Sequence, residues 1–264
     1  MPDSSPLRLV QVTDTHLFAQ PDQKLLGLTT ADSLTAVVEQ INQLSPRPDL
    51  ALLTGDLSQD GSLGSYQHLL ERLRSLELPL HWLPGNHDDL TAMQAMLTTP
   101  LCSSSQSFAV GGWQFLLLNS QVAGKVYGEL SADSLNWLEQ ELQTADCPTL
   151  IALHHPPFAI ESNWLDKSGL RNPEALFAVL DRHPQVKLVV CGHIHQEFSY
   201  QRQGVTYLSC PSTGLQFQPK SSAFALDQNF PGFRQFTLYP DGQFATRIGR
   251  VVFSPELDFV AQGY

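Results

Sequence analysis

The stretch Leu7-Arg8-Leu9-Val10-Gln11-Val12-Thr13-Asp14-Thr15-His16 decides the reading of the fold. A largely apolar run of strand length, Leu7–Val12, ends in a polar turn that sets a carboxylate and an imidazole two residues apart. Four later segments repeat the arrangement. Leu50–Leu53 runs into Gly55-Asp56, Leu80–Leu83 into Gly85-Asn86-His87-Asp88, Leu150–Leu153 into His154-His155, and Leu188–Val190 into Gly192-His193-Ile194-His195. In open α/β sheets, separate strands deliver side chains from their carboxyl ends into one crevice. Singly, an Asp-x-His or a Gly-Asp is an ordinary solvated turn, and paired histidines are as readily structural. Five such segments, each placed after a strand, predict a two-metal site.

Between the strands the apolar period changes. Leu34, Val37, Val38, Ile41 and Leu44 recur at helical spacing, as do Leu63, Tyr66, Leu69, Leu70, Leu73 and Leu76. Leu135, Leu138 and Leu142 predict a further helix with Ser131 as N-cap. Asn172-Pro173 predicts the N-cap and first residue of a helix reaching about Arg182. After Gly192 the pattern becomes antiparallel. Glu197–Gln201 and Val205–Ser209 predict a hairpin around Gln203-Gly204, and Phe233–Tyr239 and Gln243–Val251 a second one turned at Asp241-Gly242. Residues 211–231 are rich in Ser, Pro and Gln without a period. No repeat, linker or low-complexity tract divides the chain, so one domain over residues 1–264 is expected. Periodicity alone gives α/β followed by antiparallel β.

Composition narrows the partners. With 264 residues and 42% hydrophobic content the chain can bury a full core. A formal net charge of −11 and the lack of a basic run oppose binding to nucleic acid. A small anion remains compatible, because bound metal cations reverse the local field. Cys102, Cys147, Cys191 and Cys210 fit no zinc-thiolate or C-x-x-C spacing and read as small apolar residues in a reducing compartment. Met1–Pro6 shows no signal-peptide pattern, and no apolar run approaches the ~20 residues that span a bilayer. The expectation is a soluble cytoplasmic protein with no membrane partner.

The ordered series D-x-H, G-D, G-N-H-D, H and G-H-x-H resembles the calcineurin-like metallophosphoesterase superfamily. Within it the chain is most similar to bacterial class III cyclic-AMP phosphodiesterases. That similarity rests on Thr13-Asp14-Thr15-His16-Leu17-Phe18, Gly128-Glu129-Leu130-Ser131, Trp164-Leu165-Asp166, Leu170-Arg171-Asn172 and Cys191-Gly192-His193-Ile194-His195-Gln196-Glu197. Pro211-Ser212-Thr213, Gln216-Phe217 and the closing Gly263-Tyr264 extend it. The resemblance implies a four-layer α/β/β/α sandwich of two mixed sheets. It gives the first metal Asp14, His16, Asp56 and His195, and the second Asp56, Asn86, His154 and His193, with Asp56 as the bridge. Imidazole, carboxylate and amide together suit Mn, Fe or Zn better than Mg²⁺ or Ca²⁺. Such ions sit ~3.5–4 Å apart, activate a water near neutral pH and clamp an in-line displacement at phosphorus.

His16, Asp56, Asn86, His87 and His195 are expected around the substrate phosphate. His87 either protonates the leaving oxygen or stabilises its charge. Asp88 either orients His87 or is a plain turn residue. The H-x-P spacing of His154-His155-Pro156 favours His154 over His155 as ligand. Phe18, Trp164 and Phe217 are candidates for stacking on an adenine ring, or else core and loop anchors. His68, His81 and His183 read as ordinary core or surface residues, and Asp60 and Asp89 as solvated loop carboxylates.

Departures from sister families narrow the reaction. The run Gly55-Asp56-Leu57-Ser58-Gln59-Asp60-Gly61 lacks the Arg that protein phosphatases use to grip a phosphomonoester, and Gln59 stands where purple acid phosphatases carry a metal-binding Tyr. What remains is hydrolysis of a small phosphodiester, with 3′,5′-cyclic AMP converted to 5′-AMP as the implied reaction. Cyclic GMP, a 2′,3′-cyclic nucleotide or a glycerophosphodiester is the alternative. A non-enzymatic metal-bearing scaffold or sensor is disfavoured, because all seven ligand positions and His87 are present. The oligomeric state is left open, with a homodimer as one option.

Overall fold

A computed structural model describes residues 5–263; residues 1–4, part of the segment read for a targeting signal, and the closing Tyr264 lie outside the described residues. In chain order the elements are β1 (Leu7–Val12), a ribbon of β2 (Lys24–Leu25) and β3 (Leu28–Thr29), α1 (Thr30–Asn42), β4 (Leu50–Thr54), α2 (Leu63–Leu73), β5 (Leu80–Leu83), α3 (Leu90–Met96) and β6 (Cys102–Ser103). There follow β7 (Ser107–Val110), β8 (Trp113–Leu117), α4 (Ala132–Thr144), β9 (Thr149–Ala152), α5 (Pro173–Leu180), β10 (Val186–Cys191), β11 (Phe198–Arg202), β12 (Val205–Ser209), β13 (Gly232–Leu238) and β14 (Phe244–Arg250).

Two six-stranded mixed sheets result, ordered β14-β13-β1-β4-β5-β6 and β11-β12-β10-β9-β8-β7. Side chains along a strand alternate between faces, and here both faces are covered, which is why the strands read as unbroken apolar runs. In β4, Leu50 and Leu52 pack between the sheets with Leu150, Ala152, Leu188 and Val190. Ala51 and Leu53 face the other way, onto Leu34, Val37, Ile41, Leu69 and Leu73 of α1 and α2. Ile151 and Val189 of the second sheet likewise turn outward onto Leu138, Leu142, Leu176 and Val179 of α4 and α5. The layers are therefore helix, sheet, sheet, helix. Among the described residues no helix is long and apolar enough to cross a membrane.

Both tail hairpins form, with β11 antiparallel to β12 and β13 antiparallel to β14. Through β13 the second hairpin extends the first sheet, because β13 pairs with β1. Three local expectations are corrected. Asn172 precedes α5 but makes no side-chain cap; its amide instead grips both backbone groups of Leu130, accepting from the N–H at 3.0 Å and donating to the carbonyl at 2.8 Å. Asp89 is the N-cap of α3, its carboxylate accepting from Ala92 N–H at 2.8 Å. Asp60 is a loop hub that accepts from Ala19 N–H, Ser62 N–H and the hydroxyls of Ser58 and Ser62.

Candidate metal centre

The five motif segments all leave the carboxyl ends of parallel strands β1, β4, β5, β9 and β10. The two sheets are tied together at that end. Gln11, buried on β1, donates its amide to Cys191 O at 3.0 Å and to Thr54 Oγ1 at 2.9 Å. The backbone N–H of His193 lies 3.1 Å from both carboxylate oxygens of Asp14. Two glycines make this approach sterically feasible. A Cβ on Gly192 would lie 2.2 Å from Thr13 Oγ1, and one on Gly85 would lie 2.2 Å from Asp56 Oδ1.

Asp14, His16 and His195 come together on one side, Asp14, Asp56 and His154 at the centre, His154, His155 and His193 on the other, and His16, Asp56 and His87 toward the opening. Asp14, His16, Asp56, His154 and His195 are essentially inaccessible to solvent, and His193 is nearly so. Asp14, His16, Asp56, His193 and His195 adopt left-handed backbone, with φ of 53°, 45°, 48°, 71° and 49°. Non-glycine residues hold such conformations at a cost of ~1–3 kcal/mol each, and they gather at functional sites.

The hydrogen bonds fix which ring nitrogen each histidine turns inward. His154 Nδ1 donates to Thr54 O at 2.8 Å and His195 Nδ1 to Leu215 O at 2.8 Å. His16 Nδ1 donates to Gln59 Oε1 at 2.6 Å. Ser168 gives its hydroxyl proton to Leu165 O, so its oxygen accepts from His193 Nε2 at 2.9 Å. Such partners fix the tautomer of metal-ligating histidines. The nitrogens turned inward are thereby Nε2 of His16, His154 and His195 and Nδ1 of His193.

These residues fit a metal group. His16 Nε2 and His195 Nε2, both lone-pair nitrogens, lie 3.1 Å apart, an arrangement that repels unless a cation sits between them. Asn86 Oδ1 and His154 Nε2 are buried without hydrogen-bond partners. His154 Nε2 also lies 3.2 Å from Asp56 Oδ2, and Asp56 stands between the two groups of ligands. Burial alone would raise Asp56, yet His154, His87 and His16 hold its carboxyl well below the ordinary value. Burial would lower His154, but Asp56 and Asp14 push it up to about 9. Burial holds His16 down at about 3, helped by His87 and His195 and opposed by Asp56. The centre is a pair of ionised carboxylates among imidazoles, drawing positive charge. His155, by contrast, places Nδ1 2.8 Å from Ser120 Oγ, and burial with His154 beside it lowers it to about 3. It is His154 whose nitrogen meets Asp56.

A cleft of about 380 Å³ opens over the centre, with Asn86, His87 and His193 at its floor. Comparison with known proteins adds to this geometry. The family model described as calcineurin-like phosphoesterase matches residues 7–197. The chain belongs to the calcineurin-like phosphoesterase family. A 3′,5′-cyclic-nucleotide phosphodiesterase of Nostoc sp. is 50% identical over 255 residues, 96% of this chain and 96% of that protein. The 3′,5′-cyclic adenosine monophosphate phosphodiesterase of Escherichia coli K12 is 44% identical over 98% of this chain and 95% of its own. Among solved structures, a dimetal phosphatase from Danio rerio superposes with a TM-score of 0.65 at 17% identity, covering 91% of this chain and 98% of that one. A Plasmodium protein, the anchor in the inner membrane complex, superposes at 0.67 with 16% identity, covering 97% and 89%. The last two share the fold alone, and the fold alone does not settle an activity. The calcineurin-like family and the His/Asp clusters together support a two-metal site.

Three expected roles change. Asp88 is buried with its carboxylate turned away from the cleft: it accepts from the N–H groups of Leu57 and Ser58 in the loop after β4 and of Gly85 in its own loop at 2.9–3.2 Å, and from Tyr66 OH of α2 at 3.0 Å. Burial and the nearby Asp56 raise it to about 6. Its work is to fasten the Asp56 loop to the Asn86 loop rather than to orient the His87 ring. Phe18 packs in the apolar cluster with Leu25, Leu28, Ile160 and Ile194, beside the cleft and not in its lining. Phe217 lines the cleft but is 1% exposed, and it stacks on His195 at 4.1 Å between ring centres. It backs the His195 ring instead of offering a face to a base. Trp164 does line the cleft, joined by Phe224, Val126 and Gln262, none of which a motif had marked.

Proposed function

We propose that the protein is a binuclear-metal phosphodiesterase that hydrolyses 3′,5′-cyclic AMP to 5′-AMP. The observation that carries this reading is the convergence of Asp14, His16, Asp56, Asn86, His154, His193 and His195 at one centre beneath a cleft with an aromatic wall. Supporting it, relatives that are 50% and 44% identical over nearly the whole chain are cyclic-nucleotide phosphodiesterases. Asp14, His16, Asp56 and His195 would hold the first ion and Asp56, Asn86, His154 and His193 the second; Mn, Fe or Zn suits this mixed donor set. When bound, the two ions would activate the attacking water and neutralise the phosphate.

The chain's own residues supply the rest. His87 lines the cleft, and its backbone N–H donates to Asp56 Oδ1 at 2.8 Å, so the ring's starting point is fixed to the bridge. Its ring meets that of His16 edge-on at 5.0 Å. It stands on the open side of the centre, where a ring nitrogen can deliver a proton to the departing 3′ oxygen. Trp164 and Phe224, edge to face at 5.2 Å, form an apolar wall of the same cleft, suited to a nucleoside. The rotamers of the floor are preset by Gln59, Ser168, Thr54 and Leu215, which limits reorganisation during reaction.

Incubation of the metal-loaded protein with cyclic AMP, followed by chromatography, should yield 5′-AMP. Recovery of 3′-AMP, or fast cleavage of a glycerophosphodiester with cyclic AMP untouched, would overturn the assignment.

A further inference from the structure

We propose that Gln262, near the end of the carboxy-terminal tail, reads the N6/N7 edge of the purine and thereby separates adenine from guanine; this rests on the phosphodiesterase reading of the same cleft. The cleft has a polar floor and a distal wall. Of the wall residues, Val126, Trp164, Leu165 and Phe224 present apolar groups. The Ser168 hydroxyl is already engaged by Leu165 O and His193. The indole N–H of Trp164 is buried. That leaves the Gln262 amide, exposed and without a hydrogen-bond partner among the described residues, as the polar side chain on the wall able to meet a base.

The tail is held on course up to this point. Val251 N–H donates to Pro231 O at 2.9 Å as the chain leaves β14. Phe253 and Leu257 then pack against the cluster containing Leu28, Leu215 and Phe217. Asp258 N–H donates to Leu26 O at 3.0 Å, beside the β2–β3 ribbon, and Ala261 N–H to Asp258 O at 3.3 Å. Gln262 follows directly and, with Gly263, closes one side of the cleft that begins at Asn86 and His87. A nucleotide whose phosphate lies on the floor extends its base toward this wall.

The chemistry of the amide sets the preference. A primary amide carries a donor and an acceptor side by side. Adenine offers a matching pair, the N6 amino donor and the N7 acceptor, whereas guanine offers two acceptors, O6 and N7, on the same edge. An amide leaves one of these facing a like group, and a guanidinium satisfies both. A site built for a hydrogen-bonding pair discriminates well against a partner that lacks it.

The test compares Gln262→Ala and Gln262→Arg with the unaltered protein on cyclic AMP, cyclic GMP and bis(4-nitrophenyl) phosphate, a diester without a base. Gln262→Ala should lower kcat/KM for cyclic AMP, mainly through KM, by about 10-fold more than it lowers that for the baseless diester. Gln262→Arg should move the cyclic AMP to cyclic GMP ratio toward cyclic GMP. An unchanged ratio in both variants, or an equal loss on all three substrates, would overturn the proposal and leave the tail a structural brace. If the unaltered protein cleaves the baseless diester but neither cyclic nucleotide, the phosphodiesterase assignment itself fails, and the base-reading role with it.

Discussion

His87 sits at the cleft floor between the Asp56 carboxylate and the opening, so its substitution separates two roles. His87→Ala should keep both metals and the fold while losing ~10²–10⁴-fold in kcat on cyclic AMP. The loss should be smaller for a nitrophenyl diester, whose leaving group departs without a proton; equal losses would exclude proton donation. Gln59 offers a second test at this scale, since its side-chain oxygen accepts from His16 Nδ1 and so sets that imidazole. Gln59→Leu should weaken metal binding at the His16 side by ~10–100-fold, read by titration of metal into chelated protein. Metal retained at full affinity would remove Gln59 from the support of His16. The convergence of the strand-end segments was legible in the sequence because each clustered His or Asp follows an apolar strand by two to four positions. Gln59 could have been read too, because it occupies the place where a sister family puts a ligand. Asp88 misled because chain adjacency suggested His87, whereas the turn points its carboxylate back at Gly85 N–H of its own loop and at two amides of the loop after β4. Phe18 and Phe217 misled for a related reason: a ring near a motif in the chain need not present its face to the cleft.

Loops that leave β4 and β5 hold the floor only while they are fastened to each other, and Asp88 is the fastening. Asp88→Ala leaves buried donors of Leu57, Ser58, Gly85 and Tyr66 unpaired, at about 1–3 kcal/mol each. The variant should lose at least ~3 kcal/mol of stability in urea unfolding together with metal affinity, whereas His87→Ala should leave stability nearly unchanged. A stable Asp88→Ala protein with both metals bound would show that the loops do not depend on it. At this scale the long strands and the helices α1, α2, α4 and α5 were readable from periodicity. The short helix α3 was not, because seven residues give too few turns for a stripe and its cap, Asp89, resembles any loop carboxylate. The β7–β8 hairpin was passed over because β7 is only half buried and its apolar alternation is weak. The wall residues Phe224 and Gln262 had no signal, since they reach the cleft on irregular chain whose course depends on the whole fold.

Across the whole molecule, the metal centre sits where two sheets from opposite halves of the sandwich converge, so metal binding should stiffen both halves together. Excess metal at about 100 times Kd contributes ~2.7 kcal/mol. That should raise Tm by about 5–10 °C over chelated protein. A Tm indifferent to chelator would mean that the centre is not occupied in solution. The left-handed backbone of Asp14, His16, Asp56, His193 and His195 carries a different consequence. In most strands and helices alanine is tolerated better than glycine, by ~0.5–1 kcal/mol. At these five positions the order should invert, because glycine enters that conformation freely and alanine does not. His16→Gly and His195→Gly should each unfold at higher denaturant than the matching alanine variants when both are metal-free, by ~1 kcal/mol. Paired glycine and alanine substitutions at these five positions would then read the backbone strain held in the centre, with no substrate or metal in the tube.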